Sequence, residues 1–179
     1  MKKLNFIFLI LFLFTTNVFA DSYPNTSIGI IDINKVLTES KAAIDATKQI
    51  EKIQKKSEEE VKKEDELILE EREKLIDQQS VMAPEAFEVK VGDFEKKVQS
   101  FQIKRQEKLR KLDQMVQTAR AQILEEVKPI INDYASELGI TVILEKNAVI
   151  LSADDMDMTD QVIKILNKKL PKIKVELKD

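Results

Sequence analysis

The sequence predicts an α+β protein, mostly helical, in which a small β body carries a long antiparallel coiled-coil hairpin arm. Three observations lead there. Short β-branched runs lie near the two ends of the chain, at residues 27–33 and 140–151. Between them, residues 41–79 and 85–138 read as two long helices parted by a break around Ser80–Pro84. The first of these helices is too charged to be the buried helix of a globule, since nineteen of the residues from Asp45 to Leu75 are Asp, Glu, Lys or Arg.

The chain starts with Lys2 and Lys3, then an almost unbroken apolar run from Leu4 to Phe14, then Val18-Phe19-Ala20. A positive start, an apolar stretch and a small residue at the cut site form the pattern of a secretory signal peptide, here residues 1–20. The apolar run is much shorter than the ~20 residues that span a bilayer. Residues 21–179 are then one domain, with a body made of 27–44 and 118–170 and an arm made of 45–117. Removing the two lysines takes the net charge from −3 to −5, a poor basis for binding nucleic acid, which depends on an excess of Lys and Arg.

The chain has no Cys and no His. That excludes Cys/His zinc sites, Ser-His and Cys-His nucleophile pairs and disulfide bracing. Its three glycines, Gly29, Gly92 and Gly139, cannot build a phosphate-cradling loop. No catalytic, metal or cofactor residues are expected, and the chain does not read as an enzyme.

Ser27–Ile33 is a strand by its β-branched density, and Asp32 or Asn34 caps a short helix over Lys35–Glu39. The first long helix has a thin apolar seam of Ile44, Ile50, Ile53, Val61, Leu67, Ile68 and Leu75, weakened by Ser57, Glu64 and Glu71 near seam positions. The second has a clearer one: Phe87, Val91, Phe94, Val98, Phe101, Arg105, Leu109, Leu112, Val116, Ala119, Ile123, Val127, Ile130 and Tyr134. Steps of three and four are the spacing of coiled-coil packing. If two long helices joined by a short break share one seam, they form an antiparallel hairpin. Pro129 is placed where this arm enters the body, and Gly139 where a helix C-cap glycine belongs.

After Gly139 the period changes. Ile140–Leu144 and Ala148–Leu151 are read as two strands joined by a tight turn at Glu145-Lys146-Asn147. Asp157 and Asp160 cap a last helix over Met158–Lys169, which Pro171 ends. The alternating Ile173, Val175 and Leu177 read equally as a short edge strand or a frayed tail. Three short strands are at the lower limit for a sheet that stands alone, and they are too apolar for open edges. Oligomerisation solves both problems.

With these elements in order, the sequence resembles the Skp/OmpH family. The resemblance is carried by Ile28-Gly29-Ile30-Ile31-Asp32, by Gly139-Ile140-Thr141-Val142-Ile143-Leu144-Glu145-Lys146-Asn147-Ala148-Val149, and by Asp157-Met158-Thr159-Asp160-Gln161-Val162 at the start of the last helix. It implies a jellyfish-shaped homotrimer whose body is a β-barrel shared by three chains and whose three arms enclose a space for clients. It also implies a periplasmic, ATP-independent holdase for unfolded outer-membrane proteins, delivering them to the outer-membrane assembly machinery. Well-known members are often strongly basic, and this chain departs from them in being acidic. The alternative is a structural coiled-coil scaffold of the envelope without chaperone activity.

The client-binding candidates are Val81 and Met82 at the tip of the arm and Phe87, Phe94 and Phe101, spaced seven apart. Each also has a plainer reading, as tip loop or seam filler. Lys104, Arg105, Lys108, Arg110 and Lys111 form a basic face, either paired with the acidic first helix or free to attract anionic lipid or lipopolysaccharide. Ile28, Ile30, Ile31, Val142, Ile143, Leu144, Val149 and Ile150 are the candidates for the trimer interface.

Overall fold

The structure, a computed structural model, describes residues 26–176; the signal-peptide reading of residues 1–20 and the last residues of the tail lie outside this range. The elements run β1 (Ile28–Ile31), α1 (Ile33–Glu39), α2 (Lys41–Gln78), α3 (Pro84–Glu137), β2 (Val142–Glu145) and α4 (Thr159–Lys169), with short 3-10 turns at Lys146–Ala148 and Asp154–Met156. None of the helices in the described residues is long and apolar enough to cross a membrane.

β1 and β2 form a two-stranded parallel sheet in the register Ile28–Val142 to Ile31–Glu145. Gly29 leaves room for its neighbours: a Cβ there would sit 2.9 Å from Ile140 Cδ1 and 3.0 Å from Met158 Sδ, so those two side-chain ends would have to shift. Ile140 is brought there by the end of α3. Gly139 takes φ +67, and the N–H groups of Gly139 and Ile140 return to the carbonyls of Ser136 and Ala135. This is the glycine-terminated helix end in which a left-handed residue reverses the chain.

The sheet differs from expectation in one place. Val142–Glu145 is a strand, but Ala148–Leu151 is not, and the hairpin between them does not form. Glu145 runs instead into a 3-10 turn, and Lys146 reaches Asp157 at 2.6 Å. β1 lies between β2 and an isolated bridge to Asp157, with Met158 N–H donating to the Ile30 carbonyl at 2.9 Å. Among the described residues no strand pairs with the far edge of β2, and Ile150 and Leu151 are 105% and 90% exposed.

The caps follow from residue chemistry. Asp32, not Asn34, caps α1 by accepting from Lys35 N–H at 2.8 Å. Ser40 caps α2 through Ala43 N–H, and Asn167 of α4 accepts the Lys41 N–H at 2.6 Å. Thr159 is buried and accepts from Asp32 N–H at 2.8 Å, locking the start of α4 to the end of β1. The core gathers Val36, Ala42, Ala43 and Ala46 against Ala119, Ile123, Val127 and Ile130, closed by Met158, Val162 and Leu166 of the α4 region. Small alanines where α2 leaves the body let the helices pack closely.

Residues 171–176 neither form a strand nor hang free. Ile173 and Val175 join the core, 9% and 8% exposed.

Candidate client-binding and assembly surfaces

Beyond Ala46 and Ala119 the two long helices continue side by side. At about 1.5 Å per residue, the 38 residues of α2 extend for about 57 Å. Their cross-links set the register. Lys90 bonds Gln78 at 2.7 Å, Lys97 pairs with Glu71, Lys104 with Glu64 at 3.3 Å and Lys108 with Glu60 at 2.8 Å. Each step down one helix is matched by an equal step up the other. The Lys108 ammonium holds the Glu60 carboxyl below its usual value, chiefly through their hydrogen bond.

On α2, half-buried positions recur as Ile53, Ser57, Val61, Glu64, Ile68, Glu71, Leu75 and Gln78. From Ser57 outward this is a heptad seam with one apolar column (Val61, Ile68, Leu75) and one polar column (Ser57, Glu64, Glu71, Gln78). The polar column faces Lys90, Lys97 and Lys104, also seven apart. The next lysine in that series, Lys111, shares a groove of about 260 Å³ with Ser57, Ile53 and Met115, at the level where the acidic column ends. The lysine column was missed by sequence reasoning. The signal was present: lysines at period seven on α3, matched by acids or amides at period seven on α2 in the reverse order.

The phenylalanines fall into this seam. Phe101 is 7% exposed, and Phe87 and Phe94 are half-buried. Phe101 is therefore corrected from client contact to seam filler. Val81 stands well exposed at the tip and Met82 is half-buried beside it. Several expected seam residues are out of it: Leu67 and Leu109 are more exposed than covered, and Ile44 and Arg105 are exposed as well. Lys104 and Lys108 lean across to Glu64 and Glu60 instead, so that stretch of the seam closes with charge. Leu69, Ile76, Val89 and Ile103 add further apolar side chains on open helix faces. Within the basic stretch, Lys104 and Lys108 are spent on α2, while Arg105, Arg110 and Lys111 are exposed.

The candidate assembly residues divide. Ile30 and Ile31 are 1% and 3% exposed and belong to the chain's own interior, so they are withdrawn from the interface. Adjacent on the strand, they face opposite sides, and both sides are covered: Ile31 joins the core cluster with Met158 and Val162, and the Asp157–Met158 stretch runs beside Ile30. Ile28, Val142, Ile143, Leu144 and Ile150 remain exposed, and Val149 is half-buried. With Leu151 they are apolar side chains left open on the two strands and on the stretch that follows β2. That stretch is tied down by a charged pair, Lys146 with Asp157. Burial pushes the Asp157 carboxyl up, but hydrogen bonds from Lys146 and from the Thr159 N–H outweigh that and hold it down at about 2. Lys146 is raised in turn, chiefly by its bond to Asp157, and Lys35 by its bond to Asp160.

A small parallel-strand body that carries one long two-helix extension, with apolar side chains left open on both, defines the class of protein. Residues 27–166 match the family described as Outer membrane protein (OmpH-like), so the chain belongs to the OmpH-like family. Among solved structures, it is similar to a candidate outer membrane chaperone (OmpH-like) from Caulobacter crescentus CB15, with a TM-score of 0.80 and 19% identity over 86% of this chain and 91% of that one. None of the curated proteins matches.

Proposed function

We propose that the chain is a periplasmic, ATP-independent holdase that keeps unfolded outer-membrane proteins soluble for delivery to the outer membrane. It carries out no catalysis. It is exported by residues 1–20 and works as a homotrimer, with three antiparallel coiled-coil arms around a shared space. The observation that carries the reading is the arm. Two helices too charged to bury themselves, with the tip between them, nonetheless expose Leu67, Leu69, Ile76, Val81, Val89 and Ile103. Scattered apolar side chains on a soluble rod offer many weak, non-directional contacts, which suit a partner without fixed sequence or shape. A single deep pocket would select one ligand instead.

The trimer rests on the open apolar side chains of the strands. A two-stranded sheet is too small to stand alone, and an unpaired apolar edge is a template for strands of another chain. The assembly machinery and anionic lipid or lipopolysaccharide stand as further partners, with Arg105, Arg110 and Lys111 as the basic groups not engaged by α2.

The test is the suppression of aggregation when an outer-membrane β-barrel protein is diluted from urea, with particle mass measured in parallel. Suppression near one client per trimer is the expected outcome. A trimer that leaves aggregation unchanged would be a scaffold.

A further inference from the structure

The end of the described chain is held in an unusual way. After α4, residues 172–176 run without regular structure, with Ile173 and Val175 buried two positions apart. Lys174 between them and Glu176 beyond them stay largely in solvent. Alternation of this kind places i and i+2 on one face of an extended chain.

One side chain reads the backbone of that stretch. Gln49 donates from Nε2 to the Ile173 carbonyl at 2.7 Å and accepts at Oε1 from the Val175 N–H at 3.2 Å. Its Nε2 also donates to Asp45 Oδ2 at 2.8 Å, which fixes the orientation of the amide. Donating to one residue and accepting from the residue two further on is what a neighbouring residue does in a parallel ladder. The Gln49 amide is a one-rung strand. On the other side, Gln122, Glu125 and Glu126 of α3 line a cleft of about 460 Å³ together with Lys172 and Lys174. Lys169 pairs with Glu126 at 3.4 Å, so acidic side chains flank the basic residues of the segment.

We propose that the base of the arm is a binding site for an extended strand with apolar side chains at alternate positions, and that the chain's own tail occupies it as an intramolecular ligand. The site reads backbone and spacing rather than sequence, the mode in which an extended peptide is taken up by main-chain hydrogen bonds and alternate pockets. Strands of outer-membrane barrels carry the same alternation of apolar and polar residues. A tethered tail acts at an effective concentration on the order of millimolar, so a free peptide competes poorly with it. A client already held along the arm is tethered as well, and can displace it. The occupancy by the tail stands independently of the function proposed above; its displacement by a client rests on that function.

The probe is a fluorescent peptide with the sequence of residues 171–179, beside a control of equal composition with the apolar residues made adjacent. In the full chain carrying Ile173→Asp and Val175→Asp, the tail loses its anchors and the site opens. The peptide is expected to bind this variant at least about tenfold more tightly than the unaltered chain, and Gln49→Ala added to it should take back about tenfold. Equal binding of peptide and control, or indifference to Gln49, overturns the proposal.

A second measurement uses the unaltered chain and does not depend on the variant's folding. The Val175 amide is expected to be protected from hydrogen exchange, to lose protection in Gln49→Ala, and to lose it on saturation with an unfolded barrel protein. A Val175 amide that exchanges freely from the start overturns the site. A client kept soluble while Val175 stays protected overturns the displacement and leaves the holdase reading standing. A client that aggregates regardless removes the holdase reading and leaves the peptide result to judge the site. Mixing isotope-labelled and unlabelled chains decides the remaining occupant, because contact between Gln49 and another copy's tail would overturn the intramolecular assignment.

Discussion

The body and the arm are built from the same two helices, yet they hold together by different means. Below Ala46 and Ala119, α2 and α3 meet through alanines and aliphatic side chains that leave almost no exposed surface. Beyond that level one column of the α2 seam is Ser57, Glu64, Glu71 and Gln78, and no residue of the α2 seam is fully buried. Polar groups in the body are also used differently. Thr159 and Ser40 are buried and bonded to backbone, and none of the buried side-chain polar atoms among the described residues lacks a partner. In the arm the charges pair in solvent, where an ion pair contributes only ~0–1 kcal/mol. The body is specified by packing. The arm is held in register by weak, repeated, exchangeable contacts.

Matched leucine truncations test this contrast most strongly. Leu166→Ala in the body should cost roughly 2–5 kcal/mol, because the site is fully buried within the core cluster. Leu75→Ala in the arm should cost about 1 kcal/mol or less, since that side chain is already partly exposed. Urea unfolding followed by circular dichroism measures both. Equal losses would mean that the arm seam is as dry as the body.

Gly139 tests whether the turn at the foot of the arm is set by backbone geometry alone. Nothing lies within 4 Å of a Cβ added there, but its φ is +67. Gly139→Ala should therefore cost about 1–2 kcal/mol through left-handed strain and nothing through clash. Gly139→Asn should recover part of that loss, because Asn tolerates the conformation.

Much of this contrast was legible in the sequence. The two long helices, the break at Pro84 and a cap at Asp32 or Asn34 follow from local chemistry, which acts within a few residues. The β-hairpin after Gly139 was not legible, because Ala148–Leu151 is apolar enough for a strand and only the Lys146–Asp157 bond and the bridge to Ile30 show where the chain goes instead. The inward burial of Ile30 and Ile31 depends in the same way on α4, more than a hundred residues later. At the candidate site the phenylalanines spaced seven apart lie along the seam, Phe101 buried and Phe87 and Phe94 half-buried. The pairing of Lys104 and Lys108 with particular glutamates required the register between two helices, which neither helix contains by itself.

Acid should act on the two regions differently. Asp157 has a folded pKa of about 2, below its ordinary value of 3.8. A depressed carboxylate contributes stability that is present above the ordinary value and lost as pH falls toward the folded one. The body should therefore lose on the order of 1–2 kcal/mol between about pH 4.5 and pH 2, and Asp157→Asn should flatten that limb of the curve. Glu60 is shifted in the same direction but is exposed, so the arm should respond to acid mainly through loosened register rather than lost stability. Thermal unfolding across that range, with and without Asp157→Asn, measures the difference.

The smallest effect concerns the arm's register, and it is best read as a coupling. Lys104 and Glu64 lie at 3.3 Å, with both side chains partly in solvent. Lys104→Glu alone places two carboxylates opposite each other and should destabilise the arm by about 0.5–1 kcal/mol, an amount that 0.5 M salt should largely erase. Glu64→Lys alone should act similarly, with two ammonium groups now opposed. The double exchange restores an ion pair across the same rung with its polarity reversed, and should recover most of the loss. The cycle should therefore give a coupling of roughly 0.2–1 kcal/mol per rung. The same exchange between Lys104 and Glu71, which belong to different rungs, should show no coupling. A coupling for the mismatched pair as large as for the matched one would mean that the helices slide past each other, and that the column of lysines against acids does not set the register.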